Sequence, residues 1–177
     1  MGKKITKLSI FDLDGTLIST PLPEDGKKIW LEKTGKPWPH EGWWGRQESL
    51  DLEVFEMATV EAVIKDYEKE YADENTAVVL LTGRMVKLTD HVMAILKAKE
   101  LIFDDYHLNR GGETSQAKIK SMDKLLKKYP DVIEMEQWDD RLKHIPIFQE
   151  WGDKQIANGR LTKFIINVVP TLDGGQH

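Results

Sequence analysis

A chain of 177 residues with 40% hydrophobic and 31% charged residues is long enough for one domain with a buried core, and too apolar for a disordered segment. Its 25 Lys and Arg against 30 Asp and Glu give a formal charge of −5, which excludes a globally basic nucleic-acid binder and leaves room only for a local patch. The absence of cysteine excludes disulfide and thiolate chemistry, and no apolar run approaches the roughly 20 residues that cross a bilayer. The opening MGKKITK is charged but leads into only a few apolar residues, not the apolar core of a signal sequence, so the expectation is a cytoplasmic enzyme with no membrane partner.

In chain order, Leu8 to Phe11 form a short apolar run that reads as a buried strand, closed by Asp12, Asp14, Gly15 and Thr16. Leu17 to Asp25, with Pro21 and Pro23, reads as turn. Ile29 to Leu50 carries Trp30, Trp38, Trp43 and Trp44 among Gly and Pro, too broken for a long regular element. Met57, Val60, Ile64, Tyr67 and Tyr71 recur at steps of three and four, which predicts a helix over Leu52 to Ala72, ended by Asp73, Glu74 and Asn75. Ala77 to Leu81 is a second buried strand that stops at Thr82-Gly83-Arg84, and a helix from Met85 to Lys99 follows. Tyr106 to Leu108 reads as a short strand. Thr114 or Ser115 is expected to cap a helix that buries Ile119, Met122, Leu125, Leu126 and Tyr129. A strand from Val132 to Trp138 runs into Asp139-Asp140-Arg141. A short helix to Trp151 comes next, with Pro146 in its first turn and Gly152 as its stop. Lys163 to Val169 is the last strand, before a loose DGGQH tail. Strands alternating with helices imply an α/β fold, a mainly parallel sheet in three layers, as one domain over 1–177.

The polar residues follow the carboxyl ends of the strands, where such folds bind ligands: Asp12 and Asp14, then Thr82 and Arg84, then Asp139 and Asp140. Neighbouring carboxylates repel and lose hydration unless a cation joins them, and Mg²⁺ suits carboxylates combined with phosphate oxygens. Asp12, ending its strand, is placed to attack as a nucleophile, and Asp14 to protonate the leaving group and then activate water. A calcium loop also reads Asp-x-Asp-Gly, but counting from Asp12 its sixth position is Leu17 rather than Gly and its twelfth is Pro23 rather than Glu. Thr82, Gly83 and Arg84 offer a hydroxyl, backbone N–H groups and the positive end of the next helix to a phosphate. A lysine is needed to balance that charge, and Lys118 is the first choice with Lys120 second. Asp139 and Asp140 can close the metal shell.

These stretches, LSIFDLDGT, LLTGR, a lysine opening the next helix and a strand ending in DD, resemble the four motifs of the haloacid dehalogenase (HAD) superfamily across residues 8 to 141. DLDGTLIST with PLP, GWWGRQESL, LLTGR, and DDR followed by His144 are similar to its Swiss-Army-Knife RNA-repair-like branch, with Ala117 where that branch shows an aromatic and DDR where it tends to read EDR. The resemblance implies a Rossmann-like HAD fold with a minimal cap or flap at about 19–75. It also implies Asp12 as nucleophile, Asp14 as acid/base, Thr82 and Lys118 on the phosphoryl group, and Mg²⁺ on Asp12, the Asp14 backbone carbonyl and the acidic pair, Asp140 ahead of Asp139. The expected activity is a phosphomonoesterase acting through an aspartyl-phosphate on a phosphorylated substrate, such as a nucleic acid end or nucleotide. The alternative is a non-catalytic phosphate- or nucleic-acid-end-binding module. In the Trp-rich segment, Trp43, Trp44 and Arg46 are either contacts for a base and backbone or a wedge onto the sheet.

Overall fold

The computed structural model describes residues 3–171, and the sheet at its centre has five strands in which every neighbouring pair runs parallel. They are β1 (Lys7–Phe11), β4 (Thr76–Met85), β5 (Asp105–Asn109), β6 (Glu134–Asp139) and β7 (Lys163–Val168), in the spatial order β5-β4-β1-β6-β7. After β1 the chain builds outward through β4 and β5, then returns to the other side of β1 with β6 and β7. The carboxyl end of β1 therefore sits where the strand order reverses, the crevice in which open α/β sheets hold their ligands. The register, Phe11 opposite both Leu80 and Trp138, ends β1 between its two neighbours.

Helices cover both faces. Leu8, Ile10, Val79, Leu81 and Met135 join the core of α4 (Thr114–Lys128) and α5 (Ile145–Ala157), with Met122, Leu125, Phe148 and Trp151. Phe11, Val78, Leu80 and Trp138 join the other core, with Val63 and Tyr67 of α2 (Glu61–Ala72) and Val92, Ile95 and Leu96 of α3 (Thr89–Ala98). The strict alternation along β1 and β4 is what a strand buried on both faces requires. Phe11 stacks on Trp138 with ring centroids 4.3 Å apart and planes 11° apart, and each such buried ring stabilises the fold by roughly 1.5–3 kcal/mol. Among the described residues no helix is long and apolar enough to cross a membrane.

Several elements depart from the sequence expectations. A 12-residue helix, α1 (Pro23–Thr34), stands where turn and irregular chain were expected. Its ends carry ordinary signals: Pro23 at the start, Glu24 and Asp25 in the first turn, Lys33 in the last, and Gly35 at φ 73° donating its N–H to the Leu31 carbonyl. The tryptophans hide it, because α1 is held by an aromatic cluster of Trp30, Trp38, Trp43 and Phe55 rather than by a long apolar stripe. The predicted helix over Leu52 to Ala72 begins only at Glu61. Met57 is buried on the approach, and the short strand β3 (Ala58–Thr59) pairs antiparallel with β2 (Ile18–Ser19), the Val60 N–H reaching the Leu17 carbonyl at 2.9 Å.

The cap of α4 is Glu113, whose carboxylate accepts the N–H groups of Ser115 and Gln116 at 3.0 Å each, in place of Thr114 or Ser115. The Ser115 hydroxyl and these N–H bonds hold the Glu113 carboxyl down at about 2. Gly152 does not stop α5, which runs on to Ala157 before Gly159 at φ 80°. β4 extends through Met85, so Thr82, Gly83 and Arg84 belong to a strand, and α3 starts five residues beyond Arg84 rather than immediately after it. The DGGQH tail lies outside the described residues.

Gly152 is buried because the Phe164 ring of β7 fills the space a Cβ would need. Alanine is better than glycine in a helix by about 1 kcal/mol, but overpacking a fixed ring costs typically 1–3 kcal/mol. Gly152→Ala is therefore expected to lower stability despite its helix propensity, by up to about 2 kcal/mol in urea denaturation; a raised midpoint would show that Phe164 moves aside freely.

Candidate active site

The tip of β1 carries the first acid. The Asp12 N–H donates to the Trp138 carbonyl at 3.0 Å, continuing the ladder, after which the Leu13 carbonyl gathers the N–H groups of Thr16, Leu17 and Ile18. That tight loop buries Leu13 in the core and turns Asp12 and Asp14 to the crevice. It requires Gly15, which sits at φ 71° and whose missing Cβ leaves the space taken by the Asp140 carboxylate.

Lys118, from the second turn of α4, reaches into the crevice and donates to Asp12 Oδ1 at 3.0 Å and Asp139 Oδ2 at 2.6 Å. Thr16 Oγ1 donates to Asp12 Oδ2 at 3.2 Å, and the Arg141 N–H to Asp139 Oδ1 at 3.0 Å. Lys118, Asp139 and Asp140 are all at most 2% exposed. Burial pushes the Asp12 carboxyl upward and Lys118 pulls it back; Asp139, Asp140 and Asp14 push it up again, leaving it well above the ordinary carboxylate range. For Lys118, burial acts downward, but Asp12 and Asp139 outweigh it and hold the ammonium above its usual value.

One ammonium does not balance this set. Asp12, Asp139 and Asp140 each bring a carboxylate oxygen to within 4.8 Å of the others. Three buried carboxylate oxygens brought this close are the donor set of a hard divalent cation, so the residues fit such an ion.

Asp14 is held differently. Arg84 Nε donates to Asp14 Oδ2 at 3.0 Å and Nη2 to Oδ1 at 2.7 Å, the bidentate geometry that makes an arginine–carboxylate pair strong. Thr20 Oγ1 adds a 2.6 Å bond. Arg84 Nη1 donates to the Trp44 carbonyl and Ser49 Oγ, and the guanidinium lies 4.9 Å from the Trp44 ring centre. One side chain thus ties β4, the loop after β1 and the Trp-rich segment together.

These groups surround a cavity of about 260 Å³ lined by Asp12, Asp14, Trp44, Gly83, Arg84, Thr114, Lys118 and Arg141. Lys118 and not Lys120 reaches the acids; Lys120 is exposed in a separate groove. Thr82 is buried behind the cavity wall, where its hydroxyl accepts the Arg84 N–H at 3.0 Å. Trp43 lies in the core at 4% exposure and Arg46 is exposed, and neither lines the cavity. His144 is buried with Nε2 3.6 Å from Glu113; burial, Arg141 and Lys118 bring it down to about 4. Thr20, Ser49 and Arg141, which lie inside the motif stretches without a role expected of them, join the site with Thr114. Nothing in GWWGRQESL reveals that Ser49 partners Arg84, 35 positions away.

Gly15→Ala is expected to cost about 1–3 kcal/mol, since φ 71° strains a residue with a Cβ and that Cβ collides with Asp140. A urea titration checks it; stability equal to the parent would mean the loop relaxes without strain.

A family model described as HAD domain family 1 in Swiss Army Knife RNA repair proteins matches residues 27–174. An uncharacterized protein of Saccharomyces cerevisiae is 27% identical to the chain, covering 83% of this chain and 37% of the yeast protein, so the chain spans little more than a third of that relative's length. Among solved structures, an archaeal β-phosphoglucomutase from hyperthermophilic Pyrococcus sp. strain ST 04 superposes with a TM-score of 0.54 at 17% identity, covering 83% of this chain and 84% of that one. A HAD family hydrolase of Salmonella enterica subsp. enterica serovar Typhi reaches 0.50 at 12% identity, covering 82% and 60%. The two structures are alike in fold, and the family match extends over most of the sequence. The chain belongs to the HAD domain family 1 of Swiss Army Knife RNA repair proteins.

Proposed function

We propose that this protein is a Mg²⁺-dependent phosphomonoesterase of the cytoplasm that works through an aspartyl-phosphate on a nucleic acid end or nucleotide. The observation that carries the reading is Asp12: a carboxylate at the switch point of the sheet, oriented by Lys118 and Thr16, at the wall of a cavity. An Asp12 oxygen attacks phosphorus as the ester P–O bond breaks. Asp14, positioned by Arg84 and Thr20, enters this step protonated, gives its proton to the leaving oxygen and is left as the carboxylate that pairs with Arg84. A water then loses a proton to Asp14 and attacks phosphorus, releasing phosphate and restoring the Asp12 carboxylate. Lys118 and the Gly83–Arg84 edge face the phosphoryl oxygens, where fixed positive charge is worth most. Asp12, Asp139 and Asp140 would hold Mg²⁺, which when bound offsets the charge of the acids and of the phosphoryl group. The nucleic-acid part of the reading is supported by the family's description.

With Mg²⁺, hydrolysis of an aryl phosphate is expected, and Asp12→Asn should abolish it; a variant that keeps turnover would rule out Asp12 as nucleophile. A second expectation concerns metal and pH. Because Asp12 is held above its unfolded value, the metal-free fold binds a proton that the unfolded chain releases. That stabilisation is complete below about pH 3.9 and is lost as pH rises through the raised value. In EDTA, Tm should therefore fall as pH rises above about 3.9. Excess Mg²⁺ should remove the slope and, at a hundred times Kd, add about 2.7 kcal/mol. A Tm at the alkaline end that ignores Mg²⁺ would sink the metal assignment.

A further inference from the structure

Asp14 and Trp44 line two cavities. The second, of about 620 Å³, is the larger of the pair, and none of Asp12, Asp139 and Asp140 lines it. Its wall is Pro21, Leu22, Ile29, Val60 and Pro170, so it is mainly apolar. Its charged lining is of one sign: Asp14, Asp25 and Glu56, with no lysine or arginine among the described residues that line it. A groove that does carry cations, with Arg110, Lys120 and Lys124, shares no residue with the catalytic cavity.

Resting on the phosphomonoesterase reading, we propose that the second cavity receives the leaving group. The preferred substrate then carries a single phosphate on an uncharged, ring-bearing alcohol about the size of a nucleoside or an aromatic ring. The leaving oxygen must lie beside the group that protonates it, and Asp14 borders both spaces. What is attached to that oxygen then extends over Trp44 into an apolar chamber whose size is in the range of roughly 300–1,000 Å³ that holds small molecules. A ring excludes water from that wall and stacks against the indole. A leaving group bearing a second phosphate meets Asp25 and Glu56 with no cation to offset it. A polynucleotide, which has a further phosphate at each step, is therefore the poorer substrate.

The test is a comparison of kcat/KM with Mg²⁺ on five compounds. Acetyl phosphate reports phosphoryl chemistry without a ring. A nucleoside 5′-monophosphate and phenyl phosphate carry the two kinds of ring, and their ratio tells which source the chamber favours. A nucleoside 3′,5′-bisphosphate and a 5′-phosphorylated oligonucleotide carry the additional charge. The better ring-bearing monoester should exceed both multiply charged compounds at least tenfold. Asp25→Lys with Glu56→Lys, both exposed positions, should narrow that ratio at least tenfold. An oligonucleotide hydrolysed as fast as the monoesters, or a ratio unmoved in the double variant, overturns the proposal. Acetyl phosphate turned over in an Asp12-dependent way with no advantage for rings leaves the phosphatase reading standing and removes this one. No hydrolysis of any compound removes both.

Discussion

The buried ammonium of Lys118 is the interaction on which the rest of the crevice depends. Desolvating a lysine to 2% exposure costs several kcal/mol, and desolvating the carboxylates around it costs more. Neither burial is tolerable alone. Together they fix α4 against the tips of β1 and β6 through two charge-assisted bonds, 106 and 21 residues distant in sequence. Such a pair adds little net stability over an apolar substitute; its value lies in forcing a single arrangement of three chain segments. The arrangement leaves negative charge in excess, which is why the crevice is suited to a cation rather than closed as a plain salt bridge.

A second ion pair, Arg84 with Asp14, divides the labour. Lys118 organises the two strands beside the switch point, whereas Arg84 organises what lies above them. Through the Trp44 carbonyl and Ser49 it fixes the Trp-rich segment in register with the loop after β1. Trp43 pins the same segment from beneath by packing where Gly26 leaves room in α1. Adjacent tryptophans therefore do opposite things: Trp43 anchors, and Trp44 faces the cavities.

Much of this arrangement is legible in the amino-acid sequence. Alternating strands and helices lead to a parallel sheet, and residues at the strand ends, Asp12, Asp14, Gly83, Arg84 and Asp139, do converge, because parallel strands deliver their carboxyl ends to one edge. Lys118 is separable from Lys120 only by the facing of α4, which a run of closely spaced lysines does not reveal. What stays hidden depends on partners far away in the chain. Helix α1 has a poor apolar stripe and is stabilised by rings that come later; Gly152 has the look of a stop until Phe164 fills its place. Serine and threonine are the commoner caps, which favours Thr114 and Ser115 over Glu113, although a carboxylate there also meets the helix dipole. Ser49 is a site residue only because Arg84 is long enough to find it.

The contact of Phe164 with Gly152 also bears on how this protein meets copies of itself. β7 is an outer strand, so among the described residues one side of its backbone lacks a neighbour in the sheet, and its sequence KFIINV is β-prone and nearly uncharged. Held down by Phe164 under α5, opened by Lys163 and tied by Asn167, which donates to Glu136 at 2.7 Å, that strand stays a part of its own sheet. If α5 lifts, the same six residues become a template for pairing between molecules. The packing of one ring beneath one glycine is thus a safeguard against aggregation as much as a contribution to the core.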